Sequence, residues 1–576
     1  MSNISKDKEH FGNMSKMEVA RLKKSLRNYF RKVNVSIFEY IPALIMGLML
    51  FQLTIGFQRL SSDEVGWMFD SPWGDAWLHY LGWITFRQSA WTLPLGINQN
   101  YGMELQNSIT MTDSIPIMAI LSKSFSAFLP SNFQYFGVYL LLCYLLQSFF
   151  AYKIISRLTT NKISQYAGTV LMCCQPILWH RVNVHIALVS HWLLLAFLYL
   201  CIFPKRRRIL YWTILLVTAQ AIHFYFFAMG LMLFLVNQMT RIYKVLKFRL
   251  AMEVMLVLLL NMMTMWQLGY FKLGINNAAT KFGFELQRMD LAQPLNFPGW
   301  SVLLSPISIE SQGNFDGFNY LGLGSILGLM IAVLITIREK VYFKSLVRSN
   351  IGIIISAAIM AAYAITNYVS IARNTFVIPL PEAISIITDT FRGAGRFFWV
   401  TIYILCIFQV IMILRLKRKV ATFLLVCIAF IQLGDTSIGW TKLREVNRSS
   451  YSSIASQVQK GDLGDVMIHT KYLRCFPVYD ELPNWKTLGL IAVVYQKQTT
   501  CIRASRLNVE RVEGVRREFK EAIFSDKLTP DTLYVVPNEF RQYVANSYPK
   551  NQIMFFDSMM LLLSKDVAYD KDEKIK

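Results

Sequence analysis

The chain is short of acid, and its few cysteines form no metal-site pattern. It has 36 Asp and Glu against 59 Lys and Arg, so its formal net charge is 59 − 36 = +23. The excess sits in short clusters between apolar runs and not on one soluble face, so no nucleic-acid partner is expected. Of the eight cysteines, Cys143, Cys173, Cys174, Cys201, Cys406 and Cys427 lie in apolar runs, where a thiol acts as a small hydrophobe. Only Cys475 and Cys501 lie outside such runs, and they can pair if their segment faces an oxidising compartment. The chain also lacks a Gly-rich phosphate loop, a GxSxG elbow and an HExxH pair. Those absences remove nucleotide-driven pumping and soluble-type hydrolysis. No internal repeat or low-complexity tract is found. No small-residue cleavage site follows the first apolar run, which reads as an uncleaved anchor.

What the chain has instead is hydrocarbon. It is 54% hydrophobic and 14% aromatic, high for a soluble protein of 576 residues. Residues 1–35 are basic and polar. Eleven apolar segments follow, near 36–58, 133–155, 163–179, 185–203, 209–222, 224–240, 250–269, 319–337, 349–369, 396–414 and 420–434. A bilayer crossing takes about 20 residues, so the reading is a polytopic α-helical membrane protein with about 11 transmembrane helices over 36–434. Residues 435–576 differ in composition, with mixed charge and alternating apolar runs, and read as a soluble α/β domain.

The basic clusters set the topology. Those at 153–162, Lys205–Arg208, Arg241–Arg249, Arg338–Arg348 and Arg415–Lys419 belong on the cytoplasmic side. An even number of crossings must separate neighbouring clusters, so 209–240 is predicted to be a hairpin turning near Ala221–His223. With the N-terminus inside, the far side collects the loops 59–132, 270–318 and 370–395, the turn Trp179–His185 and the whole tail.

The first of those loops holds Asp63, Glu64, Asp70, Asp75 and Asp113 among Trp67, Trp73, Trp77, Tyr80 and Trp83. Two interfacial helices are expected in it, near 74–90 and 113–129. Asp75 stands at the predicted start of the first, where a carboxylate either caps the helix or serves as a general base. Asp113, before Ile115-Pro116, reads first as the N-cap of the second. His180, Arg181 and His185 share one short outer turn, and His223 sits at the hairpin tip. Ionisable groups that near membrane depth are costly and often functional. In FRGAGRFFW, Arg392 and Arg396 lie on the outer side against the charge trend, beside glycines that let a ligand approach. Arginine suits bidentate contact with phosphate. Asn319 and Tyr320 end the loop 270–318 and read either as packing or as sugar contacts.

The runs GDAWLHYLGWITFR, PLGINQNYG, DSIPIMAI, FQYFG, HRVNVHIALVSHW, GFNYLGLG and FRGAGRFFW together resemble one bacterial family of multi-pass membrane proteins assigned to the GT-C class of glycosyltransferases. That family is similar in organisation to the type-specific glycosyltransferases of O-antigen-modifying, gtr-type operons. The resemblance spans residues 36–440 in order, and more weakly the tail through Thr499–Arg506. It implies a GT-C-like enzyme of the bacterial inner membrane, with a periplasmic C-terminal domain. Such an enzyme moves a sugar, glucose or a similar hexose, from a polyprenyl-phosphate donor to a surface glycan such as lipopolysaccharide O-antigen. Its first outer loop carries the acidic base. Asp75 matches that position best, with Asp63, Glu64 and Asp113 as alternatives. Arg392, Arg396, Arg181, His180, His185 and His223 are the expected phosphate ligands. Trp73, Tyr80, Asn319 and Tyr320 are the expected sugar or acceptor contacts. No cofactor is implied; a monophosphate leaving group does not require a metal, and a divalent ion is left open. A polymerase or ligase of the same glycan, or a transporter of the lipid-linked sugar, is the other class, but a transporter should show inverted repeats that are not found. The topology has a direct test. A compartment-sensitive reporter fused after Lys576 should report the periplasm, and one fused after Arg208 the cytoplasm. Cytoplasmic activity of the Lys576 fusion refutes the arrangement.

Overall fold

The computed structural model describes residues 37–69, 75–203, 208–241, 246–274, 277–279, 283–295, 299–307, 317–381, 384–448, 462–479 and 482–567. The chain is mostly helical. Its main helices are α1 (Ile41–Thr54), α2 (Asp75–Gln88), α3 (Pro116–Ser124), α4 (Phe136–Ile155), α5 (Lys162–Cys173) and α6 (Trp192–Ile202). They continue as α7 (Arg208–Gln220), α8 (Phe224–Met239), α9 (Lys247–Gln267), α10 (Leu323–Arg338), α11 (Lys340–Ser349) and α12 (Ile351–Ile365). After these come α13 (Phe398–Ile413), α14 (Arg418–Asp435), α15 (Ser437–Arg448), α16 (Trp485–Val494) and α17 (Val509–Phe524).

Each of the eleven apolar segments holds a helix; nine of the helices are shorter than their runs, while Lys247–Gln267 and Arg418–Asp435 are longer. Three are long and apolar enough to cross a membrane alone: Phe136–Ile155, Lys247–Gln267 and Ala394–Ile413. Counting the bent pairs α11–α12 (79°) and α14–α15 (52°) as single spans gives five. The segment 163–179 shows why the runs overstate length. Gln175 is extended before Pro176, so α5 ends at Cys173 and only a one-turn helix, Pro176–Trp179, follows. Likewise α6 begins at Trp192, after the 3-10 turn Ile186–Val189. The segment 209–240 is two packed helices, α7 and α8, turning at Ala221–His223, and not one long helix.

α9 packs on α7 along one side and leaves Met255, Leu256, Leu259, Met262 and Met263 exposed on the other. Exposed apolar side chains at this density suit a hydrocarbon surrounding. At the other end of the chain, Asp435 ties the loop before α10 to the end of α14. Its Oδ2 accepts from Tyr320 Oη at 2.5 Å and Leu323 N at 3.1 Å, and its Oδ1 accepts from Ser301 Oγ at 2.5 Å. A buried carboxylate is tolerated where donors surround it in this way.

The tail is built on strands. β1 (Asn277–Ala279) belongs to the outer loop; β2 (Tyr472–Cys475), β3 (Gln498–Thr499), β4 (Arg506–Asn508), β5 (Thr532–Val536), β6 (Ile553–Phe556) and β7 (Met559–Leu563) follow. One sheet runs in the order β6-β7-β5-β2-β3, with β2 parallel to both β3 and β5 and the β5–β7 and β6–β7 pairs antiparallel. β4 leaves that sheet and pairs antiparallel with β1, setting Arg506 opposite Ala279. Cys475 and Cys501 are joined by a disulfide. The tail is not a separate lobe. Its helix α16 packs on α2, and one apolar core runs through both. Gly102 N donates to Thr499 O at 2.9 Å, and Ser505 N donates to Met111 O at 2.9 Å.

The Asp435 knot makes a stability prediction. Tyr320→Phe removes one donor and should cost about 1.5 kcal/mol, whereas Asp435→Ala strands several donors and should cost more than twice that. Apparent melting temperatures of the detergent-purified variants check the order, and equal melting temperatures for the two would refute it.

Candidate functional site

The segment Ser108–Ile115 is pressed against α2. A Cβ on Gly82 would lie 2.1 Å from Thr112 Oγ1 and 2.5 Å from Ser114 Oγ, so only glycine lets the loop seat there. His79 Nδ1 meets Thr112 O at 2.9 Å, and the buried Tyr135 hydroxyl donates to Ser114 O. These clamps hold Asp113 (φ 49°) and Ile115 (φ 54°) in the left-handed region, which side chains rarely adopt. Strain of this kind persists where the surroundings over-determine it, most often at functional sites.

Asp113 is not a helix cap. The N-cap position of α3 is Ile115, and no side chain caps that helix. The carboxylate turns instead to two imidazoles, with Oδ2 3.4 Å from His185 Nε2 and Oδ1 3.5 Å from His223 Nε2. His79 packs edge-on against His185 at 4.8 Å, and His185 against His223 at 5.1 Å, between ring centroids. The Asp113 side chain keeps 24% of its surface exposed, while those of His185 and His223 are buried. Three chain segments thus meet on one reachable carboxylate.

Hydrogen bonds fix the protons on two of these rings. His223 caps α8, its Nδ1 accepting from Tyr225 N at 3.2 Å, so its proton sits on Nε2, the atom 3.5 Å from Asp113 Oδ1. His79 faces a carbonyl through Nδ1, so its proton is there and its Nε2 carries the lone pair. Burial, the largest cause in both, pushes the His79 pKa down to about 3 and His223 well below its usual value. Asp113 opposes the shift in each. Ligand atoms of Asp113, His185 and His223 lie within 4.8 Å of one another, a grouping in which a cation is conceivable. A metal-bound imidazole donates its second N–H outward, whereas His223 Nδ1 already accepts one. His223 therefore fits a hydrogen-bond donor to Asp113 better than a metal ligand.

The arginines line one side. The Arg396 guanidinium lies over the Tyr225 ring at 4.7 Å and close enough to His223 to help hold that imidazole neutral. Arg392 Nη2 donates to Ser505 O at 3.2 Å. The glycines between them serve packing more than ligand access. A Cβ on Gly393 would meet Arg396 Nε at 2.8 Å, and one on Gly395 would meet Gly317 Cα at 2.5 Å.

Other expected residues fall elsewhere. The Arg181 guanidinium is buried over Trp399 at 5.1 Å, and His180 stacks on Phe318 at 4.3 Å. Arg181 thus packs against the helix Phe398–Ile413, and His180 against the loop that ends at Phe318. Asn319 and Tyr320 are wholly buried. Asn319 Nδ2 donates to Gly317 O and Gly395 O, and Tyr320 is held by Asp435. They bind protein, so the expected sugar contacts are corrected to packing. Tyr80 is buried too, its hydroxyl 3.5 Å from Asn132 O. Asp63 accepts from Ser61 Oγ at 2.7 Å and Glu64 from Gly66 N at 3.2 Å, both local turns. Asp75 is the first residue of α2 and half-buried, one turn before His79 on the same face. Trp73 lies outside the described residues.

One contributor escaped the sequence reading: His79 had only a faint signal, its i,i+4 spacing from Asp75.

Residues 44–437 match the model of a family described as Domain of unknown function (DUF6311). No curated protein matches the chain. The match ends beside Asp435, where the tail begins.

The buried imidazoles give the site a pH signature. A histidine whose folded pKa lies below its unfolded value takes its proton in the unfolded state first. Stability is therefore full above about pH 6.5 and falls as pH drops below it, by up to about 1.4 kcal/mol per pH unit for each such ring. For His79 the loss continues to about pH 3. His79→Asn keeps a donor for Thr112 O and removes the titrating ring. Melting temperatures between pH 7.5 and 5 should fall less steeply in this variant than in the native protein, and an unchanged slope would count against His79 as a source.

Proposed function

The chain belongs to the DUF6311 family, and we propose that it is a GT-C-like membrane glycosyltransferase. In this reading it moves a sugar, a hexose such as glucose, from a polyprenyl phosphate to a surface glycan such as O-antigen at the periplasmic face of the inner membrane. The observation that carries the proposal is the carboxylate of Asp113, held between His185 and His223 with Arg392 and Arg396 alongside. A transfer of this kind needs a base for the incoming hydroxyl and cations for the departing phosphate, held together at the edge of an apolar body.

The chemistry balances on these groups. The acceptor oxygen attacks the anomeric carbon, the bond from that carbon to the phosphate oxygen breaks, and the hydroxyl proton passes to Asp113. Charge left on the phosphate is met by Arg392 and Arg396, whose planar guanidinium groups suit phosphate oxygens. His185 Nε2 and His223 Nε2 each approach one carboxylate oxygen, and the acceptor's proton arrives on the part of the side chain that stays exposed. Asp75, one turn before His79, is a neighbour of this machinery and not its base.

Three features support the membrane setting. The eleven apolar segments, broken helices included, give about eleven crossings with both termini placed by the basic clusters. An open apolar groove of about 740 Å³ lies between α8 and α9, lined by Leu235, Met239, Leu250, Val254, Leu258 and Met262, and suits a prenyl chain. The Cys475–Cys501 disulfide suits an oxidising compartment, and the segment that carries it touches the Asp113 loop.

The test is transfer of labelled sugar by purified variants, alongside mass spectrometry of surface glycan from cells with and without the protein. The glycan should lose one hexose per unit when the protein is absent. Asp113→Asn should lower transfer by about 10²–10⁴-fold, and Asp75→Asn by much less. The reverse order would make Asp75 the base. Unaltered glycan in cells lacking the protein would refute the transferase.

A further inference from the structure

We propose that the strand pair Tyr368–Ile371 and Asn374–Val377 is a membrane anchor, which sinks one apolar face into the outer leaflet beside the site. The inference rests on the membrane reading given above and goes beyond it, since the sequence alone leaves 370–395 as an outer loop.

Alternation sorts the side chains of this hairpin. Its register sets Tyr368 opposite Val377, Val369 opposite Phe376, Ser370 opposite Thr375 and Ile371 opposite Asn374. Ile378 N donates to Asn367 O at 2.8 Å and extends the ladder by one pair. Tyr368, Ser370 and Thr375 therefore share one face, and Val369, Ile371, Phe376 and Ile378 share the other.

The first face is taken. Buried Arg288 donates from Nε to Ser370 Oγ at 3.2 Å and from Nη2 to Thr375 Oγ1 at 3.3 Å, with its guanidinium over the Tyr368 ring at 5.9 Å. Leu291 N donates to Ser370 O at 2.9 Å and Ala372 N to Asp290 Oδ1 at 3.1 Å, so the hairpin is firmly braced. The second face is open: Phe376 is 63% exposed, Ile378 55% and Ile371 49%. The brace also reaches the site, because Gly395 N, beside Arg396, donates to Gln287 O at 3.0 Å, next to Arg288.

What covers the open face follows from the helix before it. α12 exposes Ile351, Ile355 and Ile359 along one side and packs on α8 and α13 by the other. Its start is placed at the inner surface by α11, which is bent 79° to it and carries Lys340, Lys344 and Arg348. With 15 residues α12 is about 22 Å long, whereas the hydrocarbon of a bilayer is about 30 Å thick. The helix thus ends at Ile365 with about 8 Å of hydrocarbon still to cross, and the hairpin begins three residues later. Tilt only widens that gap. A strand pair leaves N–H and C=O groups along its outer edge, which hydrocarbon does not solvate. The hairpin therefore lies along the boundary, its backbone at headgroup level and Ile371, Phe376 and Ile378 among the acyl chains. A soluble partner is the other occupant open to such a face, but it would have to reach below the headgroups, where α12 itself meets lipid.

The experiment puts an environment-sensitive fluorescent amino acid in place of Phe376, in the full chain reconstituted into vesicles of phosphatidylethanolamine and phosphatidylglycerol. The same label at Leu259, exposed on α9, marks hydrocarbon, and at Phe555, exposed on β6, marks water. Bromine on the lipid acyl chains should quench the label at 376 nearly as strongly as at 259, and iodide in the water should quench it several-fold less than at 555. Bromine quenching at 259 with water-like behaviour at 376 overturns the anchor, leaves the membrane reading standing and turns the search to a soluble partner. No bromine quenching at either position overturns both. Should the chain labelled at 376 not fold, a label at Ile371, on the same face, decides by the same comparison. If the glycan assay fails while bromine quenches the label at 376, the anchor stands and the transferase reading falls.

Discussion

The carboxylate of Asp113 is the point on which three irregular segments at one end of the helices converge. It joins the loop after α2, the turn that follows α5 and the hairpin tip between α7 and α8 through two imidazoles. None of those segments is regular structure, and each carries buried polar backbone that must find a partner. The loop finds its partners in His79 and Tyr135, and Ile117 N donates to Ala221 O at 2.8 Å to lock it to the hairpin tip. What results is a rigid, polar seam at one end of an apolar bundle.

That seam explains why the tail is fastened where it is. A sheet domain on a flexible tether would leave the loop edges at Asn100 and Met111 unpaired. Here Thr499 N donates to Asn100 O at 3.0 Å and β4 pairs with β1, so the tail supplies backbone partners to two loops of the helical part at once. The Cys475–Cys501 disulfide holds the segment that makes these contacts.

Electrostatics divides the seam into two sides. Burial keeps His79 and His223 neutral, so their rings make hydrogen bonds to the backbone without adding charge. The arginines stay cationic, since their ordinary pKa lies far above neutrality even where burial lowers it. A carboxylate beside neutral donors, with cations to one side, suits proton removal next to a developing anion. The Asp435 knot has a different balance, because its carboxylate is consumed by internal donors and has no open side.

The sequence alone determined the apolar segments, the basic clusters between them, the helical hairpin at 209–240 and the start of a helix at Asp75. Each follows from local composition or short-range periodicity, which a bilayer or a helix enforces directly. It also drew attention to His185, His223, Arg392 and Arg396, because charge beside a long apolar run is costly wherever it lies. It erred where the outcome depended on distant partners. Asp113 read as a cap, and Asn319 and Tyr320 as sugar contacts. Only the tertiary structure decided which buried polar groups face one another, and it turned Asp113 to the imidazoles and Tyr320 to Asp435. Arg506 is the clearest case. It sits 114 residues from Arg392 in the chain (506 − 392), and only the pairing of β4 with β1, outside the tail sheet, sets it against the Asp389 and Thr390 carbonyls.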